Sequence, residues 1–387
     1  MRLIIYTLCL LTIFAGIFSA TGINAILDTM NHKPIKDIFK AFHYLHKKSN
    51  QYQLNSMEGL KRYKIFKANL KWTKEQNQKL GKQIYGITKF ADLTKEEFKE
   101  KYLLKPENFK ASKNPIKKST EIFSVTSLFL QDEFEDDDDL KIMNYKNSLR
   151  LLKQKDVKRD TETFQHKMPE IKDQQENHSS WAFAAISTIE SRYYNNSNAK
   201  KFLNFSEQHL IDCVNSNNNK EEIFTNTFNW IIDNGVIESK NFNKENKKEI
   251  CAKNNSHNKF EYKIVDKFST FNNENGDQNN VDWYKLLKDG PIVAAIDAQF
   301  DGFMLYRPDK FDAIFPDKCG DVNHAVVVIG KTIENKKEYL IVRNSFGKDW
   351  GFEGNFKIPS EMACGILTYA YRPNINIIDA QIPESKE

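Results

Sequence analysis

The chain has 387 residues, 40% of them hydrophobic, which is enough for one large domain or two ordinary ones and excludes a mini-protein or a disordered tail. Its 57 Lys and Arg against 52 Asp and Glu leave a formal charge of only +5, too even a balance for a nucleic-acid-binding surface. Few Gly (15) and Pro (10), with Asn-rich stretches such as residues 215–219, point to long polar surface loops.

Met1 and Arg2 precede an apolar run over 3–18, closed by the small residues Ser19, Ala20 and Gly22. This reads as a secretory signal over 1–22, removed near residues 19–25, because the run is shorter than the roughly 20 residues a spanning helix needs. No other segment is apolar enough to span a membrane, so no membrane association is expected after signal removal. Cys9 lies in the signal, which leaves Cys213, Cys251, Cys319 and Cys364. Four cysteines in an exported chain imply two disulfides, with three pairings open. Acceptor sequons begin at Asn177, Asn195, Asn204 and Asn254, so the product is expected to be a glycoprotein.

From Pro34 to Lys82 the apolar residues Ile38, Phe39, Phe42 and Leu45, then Leu60, Tyr63, Ile65, Phe66 and Leu70, recur at three- and four-residue spacing and predict two crossing amphipathic helices. In the second, Glu58, Arg62, Phe66, Asn69 and Asn77 stripe one side, with Glu58 and Arg62 placed for an i,i+4 ion pair. Gly86-Ile87-Thr88-Lys89-Phe90-Ala91-Asp92 follows, then a short helix for which Thr94 and Glu97 supply a capping box. Residues 101–157 carry no clear period and include the acidic run 132–139, which reads as a solvated linker. That run lacks the glycine and ligand spacing of a calcium loop, and no metal is expected.

Further on, Asp173-Gln174-Gln175-Glu176-Asn177-His178-Ser179-Ser180-Trp181-Ala182-Phe183 leads into a buried helix that opens at Ser180. The positive end of a helix stabilises a developing anion, so a nucleophile is well served there. Cys319-Gly320-Asp321-Val322-Asn323-His324 places one histidine at the mouth of a strongly apolar strand. After it comes Tyr339-Leu340-Ile341-Val342-Arg343-Asn344-Ser345-Phe346-Gly347-Lys348-Asp349-Trp350-Gly351.

These motifs together resemble the papain-like cysteine proteases. The helical stripe is similar to the E-x3-R-x3-F-x2-N-x3-I-x3-N signature of their inhibitory propeptide, with Thr73 in place of the Ile. Gly86, Phe90 and Asp92 fall on its G-x-N/T-x-F-x-D element. The 173–183 segment resembles Q-G-x-C-G-S-C-W-A-F, which gives Gln174 the oxyanion position and Ser180 the position of the catalytic cysteine. His324 takes the catalytic histidine position, Asn344 the residue that orients it, and Phe346 the tryptophan that shields that contact. The resemblance also implies the pairings Cys213 with Cys251 and Cys319 with Cys364. A third family disulfide lacks both partners here, at Asn177 and in the 218–222 segment.

The implied fold is α+β: a helical lobe carrying Ser180 and a β-barrel lobe carrying His324 and Asn344 over 158–387, preceded by a helical inhibitory propeptide over 23–100. The implied substrate-binding positions are Glu221, Glu222, Tyr369 and Asn323, and no cofactor is implied. Several departures argue against peptidase activity. A thiol is easily lowered from ~8.5 to form a thiolate, whereas a serine hydroxyl needs a general base and a buried carboxylate behind it. The third residue here is the neutral Asn344, and the comparable change in a serine protease costs about 10⁴ in kcat. Glu221 and Glu222 replace cleft glycines, Tyr369 occupies the floor of the main specificity pocket, and Gln175 and His178 replace two glycines beside the nucleophile.

The expectation is a secreted or lysosome- or vacuole-like monomer, proteolytically inactive. It would bind a peptide or protein ligand, a protease inhibitor or a related protease. The alternatives are an active hydrolase using Ser180, His324 and Asn344, and a propeptide that inhibits active relatives in trans.

Overall fold

Capping chemistry sets the N-terminal helices. In the computed structural model, which describes residues 20–109, 121–124, 161–197, 202–214, 223–242, 245, 250–251, 261–272, 283–366 and 368–377, helices α1 (Ala20–Thr29) and α2 (Ile35–Leu45) precede the long α3 (Met57–Leu80). α3 starts where the Ser56 hydroxyl accepts from the Gly59 N–H, and ends at Gly81 in the left-handed region, φ 65°. α4 (Lys95–Tyr102) opens with the capping box: Thr94 Oγ1 accepts from Glu97 N–H and the Glu97 carboxylate accepts from Thr94 N–H, both at 3.1 Å. α2 and α3 cross through Phe39, Phe42 and Phe66, with the Phe66 ring 5.2 and 5.0 Å from the other two.

Beyond the N-terminal region two cores form, one per lobe. α5 (Ser180–Asn196), α6 (Glu207–Val214) and α7 (Ile223–Asn234) enclose Trp181, Ile186, Phe224 and Phe228. The other lobe is an eight-stranded sheet in the order β1 (Glu121–Ser124), β5 (Val265–Asn272), β10 (Ala370–Ile375), β6 (Ile292–Ile296), β7 (His324–Glu334), β8 (Lys337–Arg343), β9 (Asn355–Pro359), with β2 (Thr161–Thr163) also on β7. Only β1 joins this sheet in parallel. The ribbon β3 (Val236–Ile237) with β4 (Glu261–Tyr262) and helix α8 (Trp283–Leu287) complete the described strands and α-helices.

Strand β6 and residues 325–329 of β7 are apolar without interruption because both faces are covered there. Ile292, Ala294, Val326 and Val328 pack with Phe303, Trp350 and Phe356, while Val293, Ala295, Ala325 and Val327 pack with the helical lobe. Gly330 is required by close approach: a Cβ there would collide with the Glu162 carbonyl of β2. Disulfides join Cys213 to Cys251 and Cys319 to Cys364.

The N-terminal region reaches both cores. Phe39, Phe42, Phe66 and Phe90 belong to the sheet-lobe core, and Leu104 and Phe109 to the helical one. Residues 101–109 therefore depart from the solvated linker expected from 101 onward. Leu103, Leu104 and Phe109 are buried, Leu104 N–H donates to the Asn323 carbonyl at 2.7 Å, and the Phe109 ring lies 5.6 Å from Phe224. The stretch lacks a period because backbone bonds and single anchors hold it, rather than one repeating face. Residues 1–19 of the expected signal 1–22, the acidic run 132–139 and the Asn254 sequon lie outside the described residues, while residues 20–22 open α1. Among the described residues no helix is long and apolar enough to cross a membrane.

Candidate active site

Ser180 is the first residue of α5, fully buried, and its Oγ accepts from the Ala325 N–H at 3.1 Å. The next residue back on that strand is His324, which begins β7 and pairs with Ile296 of β6. His324 Nε2–H donates to Asn344 Oδ1 at 2.8 Å, an acceptor shared with the Ser345 N–H at 2.7 Å. With its carbonyl oxygen as partner, the ring carries its proton on Nε2 and leaves a lone pair on Nδ1, which has no hydrogen-bond partner among the described residues. Complete burial lowers the imidazole to about 4, against the opposing effect of the Asn344 bond, so the ring is neutral at pH 7. Phe346 covers the pair, its ring 4.8 Å from that of His324.

Gln174 is buried beside them. Its Oε1 accepts from the Ser345 hydroxyl at 2.6 Å, and its Nε2 donates to the carbonyls of Asn177 at 2.5 Å and Tyr102 at 3.1 Å. The second of these carbonyls belongs to the N-terminal region, so that region occupies the amide expected to meet an oxyanion.

The other predicted positions divide. Asn323 contributes its backbone, because its side chain is buried in a bracket with Asp297 Oδ1 (2.8 Å), Gln299 Oε1 (3.2 Å) and the Ala298 N–H (2.8 Å). Tyr369 is half-buried, 6.2 Å ring to ring from Phe109. Glu221 and Glu222 lie outside the described residues, as do Asn218 and Asn219.

The striped residues of α3 act on one loop. Arg62 pairs with Glu58 (2.5 Å) and Glu97 (2.6 Å) and donates to the Asp92 carbonyl at 3.1 Å. Asn69 donates to the carbonyls of Ala91 and Leu93, both at 2.9 Å. Asn77 donates to Tyr85 O at 2.7 Å and accepts from the N–H groups of Ile84 and Tyr85. Together they hold residues 84–93 along the helix, with Phe66 beneath. Gly86 lets that loop lie against Arg307, since a Cβ would stand 3.2 Å from its guanidinium. Phe90 meets Phe346 edge-on at 5.0 Å, and the buried Asp92 carboxylate takes the Tyr52 hydroxyl at 2.9 Å and Lys48 at 3.1 Å. Among the pairs that the sequence does not announce are Lys48 with Asp92, and Lys89 with both oxygens of Asp173 at 2.6 Å. Neither partner shows a local pattern, because the contacts join residues far apart in the chain.

Comparison with known proteins agrees with this geometry. Residues 155–374 match the papain family cysteine protease profile, and residues 39–98 the cathepsin propeptide inhibitor domain. The chain is 29% identical over 361 residues to the probable cysteine protease RD21B of Arabidopsis thaliana, covering 88% of this chain and 66% of that protein. It is 30% identical over 313 residues to the viral cathepsin of Adoxophyes honmai nucleopolyhedrovirus, covering 79% and 82%. The fold is shared with digestive procathepsin L2 of Tenebrio molitor, at a TM-score of 0.65, 23% identity, and coverage of 88% of this chain and 100% of that one. It is shared also with the recombinant stem bromelain precursor, at 0.63, 23%, and 89% and 100%. The chain thus belongs to the papain family of cysteine proteases and carries the family's propeptide inhibitor domain ahead of the two-lobed fold.

Proposed function

We propose that this protein is a papain-family homologue in which Ser180 replaces the catalytic cysteine, that it lacks peptidase activity, and that it acts by binding a peptide or protein in its cleft. The observation that carries this reading is the pairing at the site. The Ser180 hydroxyl accepts from the Ala325 N–H, while His324 Nδ1 has no hydrogen-bond partner among the described residues. The serine–histidine bond that general-base catalysis requires is therefore not made. Attack would also have to create an imidazolium in a site whose burial already disfavours it, with the neutral amide of Asn344 behind it. Protein inhibitors of proteases and related proteases are the ligand classes proposed. The signal-like run, the two disulfides and the sequons support a secreted or lysosome-like destination; a monomer is proposed alongside it.

A second reading, hydrolysis by Ser180, His324 and Asn344, draws on the free lone pair of His324 Nδ1, the tautomer a general base needs. Incubating the purified protein at acidic pH separates the two. The binding reading expects no self-processing between the propeptide and the papain domain. Processing that Ser180→Ala abolishes would establish the hydrolase.

A further inference from the structure

We propose that the loop Asp173–His178 is a latch that keeps the propeptide region in the cleft as a lasting subunit even after the connecting chain is cut, with Glu176 and His178 as anchors of its own. The loop offers four polar side chains to the propeptide region. Asp173 takes Lys89 through both carboxylate oxygens, and Gln174 donates to the Tyr102 carbonyl. Glu176 takes Lys101 at 3.0 Å with one oxygen and Gln51 at 3.0 Å with the other, tying the end of α4 to the α2–α3 connection. His178 Nε2–H donates to the Glu100 carbonyl at 2.5 Å.

The last two carbonyls are the ones a helix end leaves open. The partner four residues after Glu100 would be Leu104, whose N–H is given to Asn323 instead, and the one four residues after Tyr102 is Pro106, which has no N–H. His178 and Gln174 supply the missing donors, and the two loop carboxylates face two lysines. The site is thus shaped for the last turn of a helix with open carbonyls and flanking lysines, and its occupant is this chain's own residues 89–102. At position 178 a glycine, which the resemblance places there, would offer no side-chain donor. A loop that must receive a substrate carbonyl needs its donors free, and here they are engaged.

The inference rests on the binding reading in taking the cleft as occupied in the working protein. The test uses the full chain with a specific protease site set into the acidic run 132–139 and a fluorophore at the N-terminus. After cutting, the propeptide fragment should co-elute with the papain domain at pH 7, and its dissociation rate is then measured by dilution. His178→Gly should speed release at least tenfold, and His178→Gln, which restores an N–H donor, should recover most of that. Glu176→Gln and Lys101→Gln should each speed release several-fold, with the double variant little faster than either, because they remove the same pair. A fragment that leaves the wild-type protein on the column would overturn the latch, as would His178→Gly and Glu176→Gln rates within twofold of wild type. Peptide hydrolysis by the separated papain domain would instead overturn the binding reading and leave these ratios standing.

Discussion

Replacing Glu97 by Gln probes the charge network that fastens α4 to α3. The carboxylate accepts from Lys61 Nζ at 2.8 Å, Arg62 Nη1 at 2.6 Å and the Thr94 N–H at 3.1 Å. Burial alone would raise its pKa, but the bonds from Lys61, Arg62 and the Thr94 backbone, with the Arg62 charge, outweigh burial and bring it from 4.5 to about 2. At 1.36 kcal/mol per unit that difference is worth at most about 3 kcal/mol, because Lys61 is half-exposed and water screens its share. Because the folded pKa lies below the unfolded one, this stabilisation is complete above 4.5 and disappears as pH falls through 2. Glutamine keeps the side-chain oxygen that caps Thr94, so the charge is what is removed. Urea unfolding followed by circular dichroism should show Glu97→Gln less stable by up to about 3 kcal/mol at pH 7, by up to about 1.4 kcal/mol at pH 3, and by little near pH 2. A difference below about 1 kcal/mol at pH 7, or one that does not shrink on acidification, would refute the network argument.

Two further outcomes follow from the papain domain. Removing the disulfide by Cys319→Ser with Cys364→Ser frees a link across 45 residues and should cost about 4 kcal/mol by chain entropy, read as a shift in the unfolding midpoint. His209 sits between Trp230 and Phe242 with both ring nitrogens unpartnered among the described residues, and burial lowers its imidazole from 6.5 to about 4 despite the nearby Asp212 charge. The unfolded chain then takes up a proton that the folded one refuses, so stability should fall by up to about 3 kcal/mol as pH drops from 6.5 to 4. His209→Leu should remove that slope, and an unchanged slope in the variant would show that other groups carry it.

Much of this architecture was legible because it rests on local rules. The capping box at Thr94, the ion pair of Glu58 and Arg62 one turn apart, and the opening of α5 at Ser180 each follow from a few neighbouring residues. What was illegible depends on atoms or on distance. Motif spacing singles out Asn323 as a residue, yet only the structure shows that its carbonyl meets the propeptide region while its amide braces Asp297 and Ala298. Residues 103–109 follow the cleft as an extended stretch and one 3-10 turn (Pro106–Phe109), and the anchors Leu104 and Phe109 have no period to announce them. Lys89 and Asp173 lie 84 residues apart, so their contact exists only once the propeptide region docks.

The claim that this chain does not cleave peptides is tested most directly by turnover of a fluorogenic peptide panel. The papain domain, cut from and separated from its propeptide region, is assayed as wild type, Ser180→Ala and Ser180→Cys. Wild type and Ser180→Ala should be indistinguishable. Ser180→Cys should react with a small alkylating reagent yet turn over peptide weakly, because small misplacement of a bound carbonyl costs about 10²-fold. Wild-type turnover that Ser180→Ala removes would contradict the account and make Ser180 a working nucleophile.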